Sequence, residues 1–164
     1  MNSNIIDQQL RKYEKQDETN WQKLVYTLRR HLDNWGHTAI KSPWGQMKLS
    51  YYPVIFNISV DGTTAVDITR RSMVTKQSLS RTVKELEEKG IITTKADPKD
   101  KRSERLCLTQ AGKEWVLEAY LQLEKLTNIY IDLIGEEDLL IAATVLGKII
   151  AYHEQTDTSS AEEV

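Results

Sequence analysis

One cysteine, Cys107, stands in 164 residues, so no disulfide can close within the chain, and the sequence suits a reducing compartment. Proline is nearly as scarce, with three residues. No apolar run approaches the ~20 residues that cross a bilayer, and the first residues lack the basic stretch and apolar core of a secretion signal. A cytoplasmic protein without a membrane partner is expected. His31, His37 and His153 are the only histidines, and none has a paired cysteine or a carboxylate cluster at metal-ligand spacing. There is no nucleophile elbow, phosphate loop or dinucleotide fingerprint. Neither a metal, a cofactor nor an enzyme activity is expected.

What is present is an ordinary globular composition, 40% hydrophobic and 28% charged, in a chain long enough to bury roughly two-thirds of its unfolded surface. The net charge of −2 conceals its distribution. From Thr69 to Arg105 eleven bases face six acids, a net of +5, which leaves −7 for the remainder. A basic working surface on an acidic body is the footprint of a nucleic-acid reader.

Periodicity then divides the chain. A short helix is expected around Ile5 to Lys15. Trp21, Leu24, Val25, Leu28, Leu32 and Trp35 follow helical spacing, with Thr19 or Asn20 as N-cap. "NWGHTAIKSPWGQ" reads as a connector, and a short helix fits Leu49 to Asn57 around Pro53. A turn at Asp61-Gly62 and a cap at Thr63 or Thr64 introduce a helix through Arg71, with a break at Ser72 to Val74. Thr75 caps the next helix, Leu79, Val83 and Leu86 give it one buried stripe, and Gly90 supplies a left-handed stop. Ile91 to Lys95 and Arg105 to Thr109 read as a two-stranded hairpin turning at Asp97-Pro98. Thr109 should cap a long helix, Gly135 should interrupt it, and the last helix is apolar on more than one side and needs two packing partners. The tail from 156 to 164 reads as polar and frayed.

Helix, short helix, tight turn, longer basic helix and hairpin is the order of a winged helix-turn-helix. In the longer helix Lys76, Arg81 and Lys84 precede Glu85, Glu87 and Glu88. A recognition helix enters the major groove by its N-terminal end, so bases belong there and acids ~15–20 Å further along the axis, beyond the phosphates. The stretch "RRSMVTKQSLSRTVKELEEKGIITTKADPKDKRSERLCLTQAGK" resembles the multiple-antibiotic-resistance regulator (MarR) family, most specifically in Asp100-x-Arg102 followed by Leu108-Thr109 and Gly112. The likeness is strong over Leu49 to Lys113. Met73 departs from it, standing where the turn often carries glycine.

The fold class expected is therefore mainly α with a small β-hairpin wing. It comprises N-terminal dimerisation helices at 1–40, a winged helix-turn-helix at 47–110, C-terminal dimerisation helices at 111–155 and a flexible tail at 156–164. Gln77, Ser78 and Arg81 are candidates for base edges, and Thr75, Lys76, Ser80 and Lys84 for phosphates, the division between the two groups staying open. Arg102 resembles the family's wing-tip arginine, which reaches the minor groove or its phosphates, and Asp100 would orient it. Lys95, Lys99, Lys101 and Arg105 would add phosphate contacts. The resemblance also implies a homodimer reading a pseudo-palindromic double-stranded DNA operator, more often as a repressor, and relieved by a small aromatic or phenolic effector. Trp21, Tyr26, Trp35, Trp44, Tyr51 and Tyr52 offer rings for such a pocket or for ordinary core, and no ligand residue is assigned. Cys107 is a weak candidate for oxidation sensing. A winged-helix protein-interaction module that has abandoned DNA is the alternative function.

Overall fold

The structure is a computed structural model and describes residues 3–14, 20–98 and 103–161. The chain divides into two compact units, Met1–Leu117 and Glu118–Val164.

In the first unit α1 spans Ser3–Glu14 and α2 spans Trp21–Ala39, whose first turn is closed by the Asn20 side chain accepting from the Lys23 amide at 2.9 Å. Thr19 lies outside the described residues. α2 runs through Gly36 to Ala39, further than the connector expected from "NWGHTA", because one glycine costs only ~1 kcal/mol against the helix around it. A 3-10 turn at Leu49–Tyr51 leads into the four-residue α3, Tyr52–Ile55, with Pro53 in its first turn, where a missing amide hydrogen costs nothing.

The turn at Asp61-Gly62 is followed by a two-residue strand, β1 (Thr63–Thr64), then α4 (Ala65–Ser72), capped by Thr64. α5 covers Lys76–Glu88. Between them Met73 takes the left-handed conformation, φ 53°, that glycine adopts most readily. The backbone thus makes the turn with a side chain in place, and that side chain is 72% exposed, so nothing crowds it.

β2 (Ile92–Ala96) and β3 (Glu104–Leu108) pair antiparallel, Ile92 opposite Leu108 and Ala96 opposite Glu104. β1 adds to the free edge of β3, with Thr63 opposite Leu106, so the expected two-stranded hairpin is a three-stranded sheet in the order β1-β3-β2. The core of this unit joins Tyr51, Val54, Ile55, Ile68, Leu79, Leu86, Ile91, Ile92 and Leu106, all buried. At about 25 cal/mol per Å² of apolar surface, each large side chain there contributes ~1.5–3 kcal/mol.

One junction explains the spacing Leu108-Thr109-x-x-Gly112. The Thr109 hydroxyl donates to Gly90 O at 2.7 Å and accepts from the Gly112 amide at 3.0 Å, capping α6 (Gln110–Ile134) while fastening it to the end of α5. A Cβ on Gly112 would lie 2.1 Å from Ile91 O, so no larger residue fits this approach.

The second unit holds the rest of α6 and α7, Glu136–Ala161, separated by left-handed Gly135. Glu136, Glu137 and Asp138 occupy the positive end of α7. The helix continues through Ala161, beyond the boundary at 155 expected from the polar composition of the tail. Among the described residues no helix is long and apolar enough to cross a membrane.

Candidate nucleic-acid interface

α5 is amphipathic in the sense a groove reader requires. Leu79, Thr82 and Leu86 face the core, with Val83 half-buried beside them. Thr75, Lys76, Gln77, Ser78, Ser80, Arg81 and Lys84 are all exposed. The helix start is fixed by Thr75, whose hydroxyl oxygen accepts from the Ser78 amide at 3.2 Å and leaves its own hydrogen to give. Six of the seven candidates on the helix and its cap therefore lie within two turns of its N-terminal end, on the face away from the core. Lys84 sits one turn beyond.

The acids of α5 do more than stay clear of a groove. Glu87 Oε1 accepts from the Thr94 hydroxyl at 2.6 Å and ties α5 to β2. Glu85 receives three side chains: Oε2 accepts from Lys48 Nζ at 2.7 Å and from the Tyr51 hydroxyl at 2.9 Å, and Oε1 from Arg81 Nε at 3.3 Å. Donation by Lys48 and then Tyr51 lowers the Glu85 carboxyl to about 2, outweighing the opposing effect of its partial burial. The same contact raises the Lys48 ammonium, and burial together with Glu85 raises the Tyr51 hydroxyl. Lys48 and Tyr51 are neighbours of Glu85 that no local sequence pattern reveals, because they lie 37 and 34 residues from it.

At the wing the structure divides the candidates. Lys95 is exposed on β2, while Arg105 is turned into the protein. Its Nε donates to Asp97 Oδ2 at 3.0 Å and its NH1 donates to Asp61 O at 3.0 Å and Gly62 O at 3.1 Å. Asp97 is buried, and its amide donates to Ser103 O at 2.9 Å. Arg105 thus braces the sheet against the β1 turn, and the expected phosphate contact does not describe its main partners. The reason lies in register: Lys95 faces Arg105 directly, and Asp97, two residues on along the same face, answers the doubled charge. Lys99, Asp100, Lys101 and Arg102 lie outside the described residues. Cys107 is half-buried, and a Cβ on Gly62 would come within 2.6 Å of its Sγ.

The aromatics expected near a pocket or core are divided too. Tyr52 stacks on Phe56 with centroids 6.0 Å apart, and Trp115 meets Trp44, Tyr52 and Phe56 at 6.2–6.4 Å. Trp115 Nε1 donates to Lys41 O at 2.9 Å. A cavity of about 260 Å³ adjoins this cluster, bounded by His37, Ile40, Lys41, Gln46, Met47 and Tyr52 among others. Trp21 and Tyr26 are exposed instead. Among the described residues no group of His, Cys, Asp and Glu side chains could hold a metal ion.

Residues 46–103 match the sequence model of the MarR family. No curated protein is significantly similar to the chain in sequence. Among solved structures, the transcriptional regulator SlyA superposes with a TM-score of 0.70 at 18% identity, over 83% of this chain and 95% of that one. FabT of Streptococcus pneumoniae, solved with DNA, gives 0.69 at 18% identity over 87% and 98%. PcaV of Streptomyces coelicolor, solved with its natural ligand, gives 0.66 at 14% identity over 82% and 94%. The fold is that of these winged-helix regulators.

Proposed function

We propose that this chain, whose residues 46–103 match the MarR family, is a dimeric transcriptional regulator that binds double-stranded DNA in a sequence-specific way. The observation that carries the reading is the exposed polar and basic N-terminal half of α5, held by a capped start and a buried opposite face. Lys76, Gln77, Ser78 and Arg81 reach the groove floor or its walls, with Gln77, Ser78 and Arg81 on base edges. Thr75, Ser80, Lys84 and Lys95 bind phosphates, and Lys99, Lys101 and Arg102 extend the cationic surface along the wing. Arg102 enters or borders the minor groove, where narrowing concentrates negative potential, and Asp100 orients it.

The apolar residues left uncovered support dimerisation. α2 has no buried residue although Trp21, Leu24, Val25 and Leu28 lie along it, and α1 likewise exposes Ile5, Leu10 and Tyr13. In the second unit Ile129, Leu133, Leu140 and Ile141 are exposed as well. So much apolar surface is characteristic of a chain awaiting a partner. A second copy supplies it by two-fold symmetry and sets two recognition helices on half-sites ~34 Å apart.

The regulator acts as a repressor, and a small aromatic or phenolic effector relieves it. The cavity beside Tyr52 is of a size for one ring, and FabT and PcaV, solved with DNA and with a ligand respectively, share the fold. An effector shifts the dimer from its operator only by the difference in its affinity for the two arrangements. Selection of duplexes from a random pool by the full chain, followed by competition with phenolic acids, tests both statements.

A further inference from the structure

Arg81 is 80% exposed, and an arginine free to rotate loses rotamer entropy when a partner fixes it. Its contact with Glu85 is an exposed helical pair four residues apart, a kind of interaction that fixes little by itself. Glu85, however, is not free to follow Arg81. Its Oε2 is held by Lys48 Nζ at 2.7 Å and by the hydroxyl of Tyr51, a residue 1% exposed whose ring belongs to the core. Lys48 also lies over the Tyr51 ring, 5.6 Å from its centroid. The carboxylate is therefore anchored from the body of the protein, with Oε1 offered to the recognition helix.

Arg81 meets that oxygen with Nε. Its two terminal nitrogens make no hydrogen bond among the described residues, and those nitrogens form the end-on fork that pairs with O6 and N7 of guanine. Charge agrees with this geometry. A bare carboxylate beside a groove would repel phosphate, but Glu85 lies between the cations of Lys48 and Arg81.

We infer that Glu85 is a positioning residue, held by Lys48 and Tyr51 so that the Arg81 fork is aimed before DNA arrives; this rests on the DNA-reading function proposed above. Preorganisation of this kind improves discrimination between sequences by sparing the correct complex an ordering cost. It does not raise affinity for every duplex. Removing the negative charge should in fact raise affinity for unrelated DNA while lowering selectivity, a split that general loss of structure would not produce.

The test uses a duplex enriched from a random pool by the full chain and a scrambled duplex of equal length. Affinities for both are measured for the unsubstituted chain, Glu85→Gln, Tyr51→Phe, Arg81→Ala and the double variant Arg81→Ala/Glu85→Gln. Glu85→Gln and Tyr51→Phe should lower the ratio of the two affinities about three- to tenfold, and Glu85→Gln should tighten binding to the scrambled duplex. In the Arg81→Ala background, Glu85→Gln should leave the ratio unchanged. A ratio unaltered by both single substitutions, or lowered equally with and without Arg81, overturns the positioning role while leaving DNA reading intact. Should Glu85→Gln fail to fold, Tyr51→Phe, which deletes one hydroxyl and keeps the ring, decides between those outcomes. If the unsubstituted chain enriches no sequence, DNA reading itself falls, and the positioning role with it.

Discussion

Arg105 Nε lies 3.0 Å from Asp97 Oδ2, and with both side chains largely withdrawn from water this pair closes the base of the wing. Truncating Arg105 removes this charge-assisted bond together with its two donations to the carbonyls of Asp61 and Gly62, which with Arg105 still partly wet costs about 2 kcal/mol. Arg105→Ala should therefore lower the melting temperature by ~4–8 °C. A role confined to phosphate binding predicts instead an unchanged melting temperature and a shallower salt dependence. Thermal denaturation without DNA separates the two.

Gly112→Ala should destabilise by ~3 kcal/mol, since the added methyl would meet the Ile91 carbonyl at 2.1 Å and α6 would have to move off the end of α5. Gly147, which has nothing within 4 Å of its ideal Cβ, should tolerate alanine and gain slightly in helix propensity. Urea denaturation of the two variants checks the contrast. Equal midpoints would refute the close approach.

Acid should act on the Glu85 network with a defined sign. The folded carboxyl sits at about 2, below its ordinary 4.5, chiefly through Lys48 and Tyr51. Its stabilisation is therefore fully present above 4.5 and is lost as pH falls toward 2. The stability difference between the unsubstituted chain and Glu85→Gln should be constant from neutrality down to about pH 5, then shrink on further acidification. A difference independent of pH down to the acid limit would contradict the network.

The exposed apolar faces of α1, α2, α6 and α7 predict a species of twice the 18.9 kDa chain mass in sedimentation equilibrium. Leu24→Glu should weaken that association at least tenfold, because a carboxylate desolvated at an apolar interface costs more than ~1.4 kcal/mol. A monomer at micromolar concentration would remove the basis for reading two half-sites.

The elements legible from sequence were those whose signals are local. Thr75, Gly90, Thr109 and Gly135 each stand at a helix end, and each does so for the capping or left-handed geometry its chemistry allows. β1 escaped because two residues cannot show a period, and Thr63 and Thr64 are defined as strand only by pairing with Leu106 and Arg105 some forty positions away. α2 ran past Gly36 because a single weak helix former did not outweigh the helix on both sides. At the site, the exposed face of α5 followed from the Leu79, Leu86 stripe. The reason for its acids did not: Glu85 is cross-linked to Lys48 and Tyr51, 37 and 34 residues away, and Glu87 to Thr94 across the junction of helix and strand, and no helical or strand period reports such partners. The partners of Arg105 are equally silent in the sequence, since they are Asp97 across the hairpin and two carbonyls of the β1 turn.

The most direct measurement is the affinity of the full chain for a duplex enriched from a random pool, taken across a range of salt concentrations alongside a scrambled control. Sequence-specific reading by paired α5 helices and wings predicts enrichment of a two-fold related site. It also predicts log affinity falling linearly with log salt, at a slope of about −5 or steeper, while the control stays weaker throughout. Failure to enrich any sequence, or an affinity that salt leaves unchanged, would contradict it.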